Sequence, residues 1–313
     1  VAKADWDVPR TEAGLQEVLD RIEQCRRDSD DRELGNGLLA LSYLVKWVRS
    51  DTAEAPFARS YELAIEALDA FRRCGDVAGQ ARALVGASPF VERAAGEQML
   101  SEAERLVGEA ADENCVAMVM AARARNLAMT DHDQSAALHR RALEIYRRTE
   151  NRRGQAGCLF SLAITGGFLE EKRDAAIEAA KLYRAIGDHG EAARAMTLAL
   201  MQAEELEPLA RLEPLAKEGL DDALAAGDRG QEGHFYTKLS LIATARGDAE
   251  QAAKYGDWAK SLEESDGRTP LERWRDEVAM TKEMISMART QGDQDAVKAF
   301  SEELKRLKGT RPN

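Results

Sequence analysis

Apolar residues recur along this chain three or four positions apart, and polar clusters interrupt them at nearly even intervals. The first such stretch begins at Thr11, placed to cap a helix, and runs to about Arg27 with Leu15, Val18, Leu19 and Ile22 on one face. Asp28-Ser29-Asp30-Asp31 closes it. Residues 33–49 carry Leu38, Leu39, Leu41, Leu44, Val45 and Val48, too apolar all round for a surface helix. Beyond Pro56 the pattern predicts a helix over 57–74, then pairs at 78–89 with 93–110, 114–130 with 134–149, and 152–165 with 169–186. Further pairs follow at 189–205 with 208–226, 230–245 with 249–264, and 270–290 with 293–308. No alternating strand segment of useful length is present, so the predicted fold class is all-α.

Six short hinges separate these hairpins: Gly75-Asp76, Ala111-Asp112, Glu150-Asn151, Gly187-Asp188, Gly227-Asp228 and Ser265-Asp266. Their second residues lie 36, 39, 37, 40 and 38 positions apart. Similar text follows four of them: DVAGQARALVGA, NRRGQAGCLFSLA, DHGEAARAMTLA and DRGQEGHFYTKLS. A fixed period of this length marks a repeat array, in which each unit contacts its neighbours, so 313 residues can form one long domain. Local chemistry sharpens several boundaries. Thr269-Pro270-Leu271-Glu272 joins a capping-box spacing to a proline at the first helical position. Gly247-Asp248 and Gly292-Asp293 pair a helix-ending glycine with an aspartate able to cap the next helix. Gly166-Gly167 is expected to break its hairpin through freedom in φ. The predicted organisation is a lead-in and N-terminal capping helix over 1–32, a repeat array over 33–308 and a tail over 309–313.

The second-helix text Gly247-Asp248, Ala252, Tyr255 and Ala259, and in part Gly292-Asp293, Ala296 and Phe300, resembles tetratricopeptide repeats. So does the first-helix text Asn151, Gly154, Ala156, Leu159, Leu162 and Ala163, with Asp76, Gly79, Ala81, Leu84 and Ala87. The likeness is to the longer repeats of kinesin light chains and large bacterial regulators, and it covers about residues 33–308. It implies a TPR-like α-solenoid, a right-handed superhelix of about seven hairpins whose first helices line a concave groove. In similar proteins that groove holds a peptide, an extended segment or a partner helix. The repeats near Gly96 and Pro208 depart from the pattern.

Composition narrows the function. A net charge of -12 and a pI near 5.1 argue against nucleic acid as partner. The basic residues are 12 Lys and 32 Arg, a bias that favours fixed, forked contacts to carboxylates and, with the look of the repeats, suggests a bacterial chain. Cys25, Cys74, Cys115 and Cys158 form no CxxC pair and read as small buried residues in a reducing compartment. No run of 18 apolar residues and no apolar signal region appears, so no membrane is expected and a cytoplasmic location is. Val1 is not Met, which leaves room for a segment before it.

Catalytic chemistry is not in evidence. His132, His139, His189 and His234 make no HExxH, and no P-loop or GxSxG appears. Asp131-His132-Asp133 sits at a turn where Asp caps helices, so no metal or cofactor is called for. His139 falls at an interior position and is expected to be packed or hydrogen-bonded. With Leu162-Ala163 and similar pairs facing the core, Arg82, Arg125, Phe160, Met196, His234 and Thr237 fall on the inner face. Such an Arg-and-apolar groove could clamp an acidic side chain or a C-terminal carboxylate. Met118, Met120, Met129, Met196 and Met201 are read as core filling, and Trp258 with Trp274 as a packed cap. The reading is a non-enzymatic scaffold or adaptor that binds a protein or peptide. The alternative is an effector- or peptide-sensing domain of a larger bacterial regulator.

Overall fold

The computed structural model describes residues 12–45, 56–110, 112–128, 130–265 and 294–310, with scattered helical positions from Trp274 to Arg289. The lead-in, the Thr269-Pro270 start, the Gly292-Asp293 turn, Val48 and Met129 lie outside those residues. The described residues hold helices and short turns, with no strand among them. The helices are α1 (Glu12–Asp28), α2 (Asp31–Leu44), α3 (Pro56–Arg73), α4 (Val77–Ala87), α5 (Arg93–Ala110), α6 (Glu113–Leu127) and α7 (His132–Arg148). After them come α8 (Arg152–Thr165), α9 (Leu169–Ala185), α10 (His189–Leu206), α11 (Glu213–Ala226), α12 (Arg229–Ala245), α13 (Ala249–Ser265) and α14 (Gln294–Gly309).

The hinges form one device used repeatedly. The N–H of Asp76, Asn151, Asp188 and Asp228 donates to the carbonyl of Phe71, Tyr146, Tyr183 and Ala223, at 2.9, 2.9, 2.9 and 3.0 Å, closing the helix before it. The same residue's side chain then accepts from the N–H of Gly79, Gly154, Glu191 or Gln231, at 2.8, 2.9, 3.2 and 3.0 Å, opening the helix after it. Gly75, Gly187 and Gly227 precede these caps with φ of 68, 79 and 65°, where a side chain would clash with its own backbone. Glu150 takes the same place with φ 55°. One aspartate or asparagine thus ends one helix and starts the next, which is why the period is so clear in the sequence.

Two sequence expectations change. Gly166 has φ -64° and uses no left-handed freedom; a methyl there would run into the Leu162 carbonyl, so close approach requires the glycine. The second helix of the Pro208 hairpin starts late. A 3-10 turn at Leu209–Arg211 precedes it, and α11 begins at Glu213 with Pro214 in its first turn.

The chain divides into two compact units, Val1–Ala122 with Pro270–Asn313, and Arg123–Thr269. In the first, α1 to α4 each pack on their successor, and α2 also touches α4. In the second, α7 to α12 do the same, while α8 touches α10 and α10 touches α12. The hairpins' first helices therefore lie side by side in the second unit, with the second helices filling in behind.

Size complementarity holds the helices together. Phe71 is fully buried between Gly35 and Gly79, and Tyr146 covers Gly154; a methyl on Gly154 would stand 2.5 Å from the Tyr146 ring. Ala67, Ala103, Ala142 and Ala179, fully buried at one position of successive second helices, let backbones approach. At that position α11 has Gly219, and the space it leaves is filled by the Phe235 ring from α12. Asp222, also buried, ties three helices. It accepts from Arg184 on α9 at 2.6 and 2.9 Å and faces His189 Nδ1 at the start of α10 at 3.1 Å. That hydrogen bond is the main cause raising the Arg184 pKa.

Candidate functional site

Counted from its capping residue, each first helix presents three recurring positions on the face opposite its partner. Arg82, Arg194 and His234 share the first, Phe160, Thr197 and Thr237 the second, and Arg125, Ile164, Met201 and Leu241 the third. At the third position Ile164, Met201 and Leu241 are 50, 51 and 50% exposed, although each lies in a helix otherwise rich in buried residues. Three large apolar side chains thus share one register of three helices, of which α8 touches α10 and α10 touches α12, unlike the scattered surface leucines of an ordinary monomer.

Polar contacts lock the three helices side by side beneath this row. Arg194 of α10 lies over the Phe160 ring of α8 at 6.0 Å and pairs with Glu191 at 3.2 Å. Thr197 donates its hydroxyl to Gln231 Oε1 of α12 at 2.8 Å, and Lys238 of α12 pairs with Glu204 of α10 at 2.7 Å. Arg153 of α8 meets Asp188, the cap of α10, at 2.8 Å. These contacts hold the side chains in place between neighbouring helices.

Arg125 differs from these cations. It is exposed and has no carboxylate partner among the described residues. Protein crowds it all the same: burial is the first cause lowering its guanidinium pKa, with Tyr146, Cys158 and Tyr183 opposing. Behind it, on α7, His139 is 1% exposed, and neither ring nitrogen has a hydrogen-bond partner. Burial, then Arg125, pushes the His139 pKa down to about 4.

The expected site residues divide accordingly. Phe160 and His234 are half-buried and Thr237 is exposed at the first two of the recurring positions in the second unit, and Arg125 takes the third. Arg82 belongs to the first unit, half-buried, 3.9 Å from Asp76 and stacked over Phe71 at 5.3 Å, so its charge is already engaged. The His234 pKa is lowered, by burial and then by Lys238, and its Nε2 is buried without a partner. The exposed Thr237 returns its hydroxyl to the Gly233 carbonyl at 2.8 Å. Met196 is a correction. It is 1% exposed among the fully buried Ala192, Ala193, Ala195 and Ala199, and presents nothing to a ligand. Met201, expected in the core, takes the surface position instead.

Further residues singled out in the sequence take the following places. His139 is packed but not hydrogen-bonded. Asp131 caps α7, accepting from the Gln134 N–H at 2.9 Å. No group of His, Cys, Asp and Glu suited to a metal occurs among the described residues. Burial pushes the Cys115 and Cys158 thiols up to about 12, whereas Cys74 is exposed beside its hinge. Trp274 donates Nε1–H to the Leu307 carbonyl at 2.7 Å. Trp258 is 40% exposed against Tyr236 and Tyr255, with Lys254 at 4.8 Å. A cleft of ≈ 190 Å³ between α1, α2 and α3 is smaller than the ~300 Å³ that small-molecule sites begin at. No described helix is long and apolar enough to cross a membrane.

Helical hairpins in chain order, joined by glycine–aspartate hinges, define a protein of tetratricopeptide-like helical-repeat fold. Among solved structures it is similar to Rap protein complexed with Competence and Sporulation Factor, with a TM-score of 0.56 at 14% identity over 94% of this chain and 85% of that one. It is also similar to BtubC (BKLC) from P. vanneervenii, with a TM-score of 0.49 at 14% identity over 82% and 92% of the two chains. No protein-family model matches the chain, and no curated protein does.

Proposed function

We propose that this chain is a non-enzymatic binding scaffold that takes a peptide or an unfolded protein segment across the open face of α8, α10 and α12. The observation that carries this reading is the row Ile164, Met201 and Leu241, half-exposed at one register of three helices already pinned together. Covering the exposed half of each side chain is worth about 1 kcal/mol, so the row contributes roughly 3 kcal/mol before polar contacts. Phe160 and Thr237 lie beside it to add area and a hydroxyl acceptor. The Rap structure, complexed with Competence and Sporulation Factor, supports the idea that a chain of this fold can hold a guest.

A random peptide library selected on the wild-type chain tests the reading. Selected peptides should bind the Met201→Glu chain at least tenfold more weakly, since a charge in the row must be desolvated. Both positions are exposed, so Met201→Glu and Leu241→Glu should leave the helical content of the chain unchanged. Peptides that bind these variants as tightly as wild type would refute the proposed face.

A further inference from the structure

The spacing of the row specifies the guest more closely; this step rests on the binding reading above. Neighbouring packed helices lie about 8–10 Å apart, and an extended chain advances about 3.3–3.6 Å per residue. A segment crossing the first helices therefore moves one helix for roughly every three residues. A polyproline-II strand, with three residues per turn, returns a side chain to the same face at that interval. An α-helical guest, rising about 1.5 Å per residue, would need about five to seven residues per step; steps of five or six turn its side chains away from the row, and a seven-residue step, about 10.5 Å, overshoots the helix spacing.

The register continues from Ile164 back to Arg125 on α6, where the row changes from apolar to cationic. Arg153, Arg194 and Lys238 are each met by a carboxylate of this chain, at 2.8, 3.2 and 2.7 Å. Arg125 meets none among the described residues and is exposed, so its guanidinium is open to a carboxylate from a guest. With the other cations satisfied and a net charge of -12, the face suits a single guest carboxylate and disfavours an acidic run.

We infer that the guest is an extended segment carrying one Asp or Glu, followed or preceded at three-residue intervals by three apolar residues. The carboxylate sits on Arg125, and the apolar side chains sit on Ile164, Met201 and Leu241 in turn.

Synthetic peptides test this directly. One set places Glu at one end and leucine at three-residue intervals. Other sets use intervals of two and four, and each peptide has a twin with Gln for Glu. Anisotropy should give the three-residue set an affinity roughly tenfold above the others, and Glu roughly tenfold above Gln, the scale of one charge-assisted contact. On the Arg125→Gln chain the Glu and Gln twins should converge, with the Gln peptide bound as by wild type. Equal affinity for the twins on wild type, or preference for an interval of four, overturns the inference. Binding at another interval that Met201→Glu abolishes leaves the peptide-binding reading standing while removing this one. Binding by no peptide, with nothing selected from the random library, removes both.

Discussion

Replacing His139 with leucine should stabilise the chain, and by more in mild acid than at neutral pH. His139 occupies a second-helix position filled elsewhere by Ala64, Leu100, Ala176 and Ala216, each fully buried. A buried polar group without a partner costs about 1–3 kcal/mol, so His139→Leu should gain roughly 1–2 kcal/mol at pH 7.5, where the ring is neutral in folded and unfolded chains. The unfolded ring takes a proton near pH 6.5 and the folded ring only near pH about 4. Between those values the unfolded state binds the extra proton, so the wild type loses stability as pH falls and the leucine variant does not. By pH 5 this widens the gap by about 2 kcal/mol. Urea unfolding of both chains at pH 7.5, 6 and 5, followed by far-ultraviolet circular dichroism, measures the divergence. Midpoints that fall in parallel with pH would show that His139 is solvated or hydrogen-bonded, and would refute the reasoning.

Gly219→Ala should cost about 2 kcal/mol by driving a methyl into the Phe235 ring, and Phe235→Leu in the same chain should recover part of the loss in thermal denaturation. Asp222→Ala should lower stability by about 2–3 kcal/mol, because Arg184 and His189 lose their shared partner; Arg184 is about one-third exposed, which keeps the loss below that of a fully buried pair. Glu150→Gly should raise the melting temperature, with a gain of about 0.5–1 kcal/mol, since φ there is 55° in the left-handed region. Arg125→Gln should change the urea midpoint by less than about 0.5 kcal/mol in free energy, because no carboxylate partner is lost; a larger loss would mean that Arg125 is structural.

The helices were readable in the sequence because each hinge carries its own chemistry. Gly75-Asp76, Gly187-Asp188 and Gly227-Asp228 combine a left-handed residue with a side chain that caps the next helix, and both are local. Gly166 shows the limit of that reasoning: its requirement comes from the Leu162 carbonyl folding back on it, which composition does not reveal. The site was half legible. Periodicity set Phe160 and Thr237 on the face proposed above for binding, but α10 is so rich in alanine that its apolar pattern has no single phase. Ala192, Ala193, Ala195, Ala199 and Ala203 are all fully buried, so Met196 and Met201 look equivalent until each is counted from Asp188. That count was available in the sequence and would have set Met201 beside Ile164 and Leu241. The difference between Arg82 and Arg125 was not available. It depends on Asp76 standing 3.9 Å from one, and on no described carboxylate approaching the other.

A repeat supplies its own control, since each position can be compared with its equivalents in the same chain. Packing alone selects Ala or Leu where His139 stands, because neighbouring hairpins fill that buried place that way, and the half-exposed place where Arg125 stands is apolar in the three hairpins that follow. Both departures fall in one hairpin, α6 with α7, and each is unfavourable by itself: a buried ring with idle nitrogens and a crowded cation without a carboxylate. They also oppose one another, because the Arg125 charge disfavours a proton on His139. A folded chain keeps such a pair only if stability is not all that is being satisfied there. An anion at Arg125 would relieve the cation and, by cancelling its field, ease protonation of the ring behind it. Burial keeps the ring neutral at pH 7 whether or not Arg125 is met, so binding at this hairpin should take up part of a proton only near the ring's titration at about 4, read as a buffer-dependent binding enthalpy, and none at neutral pH.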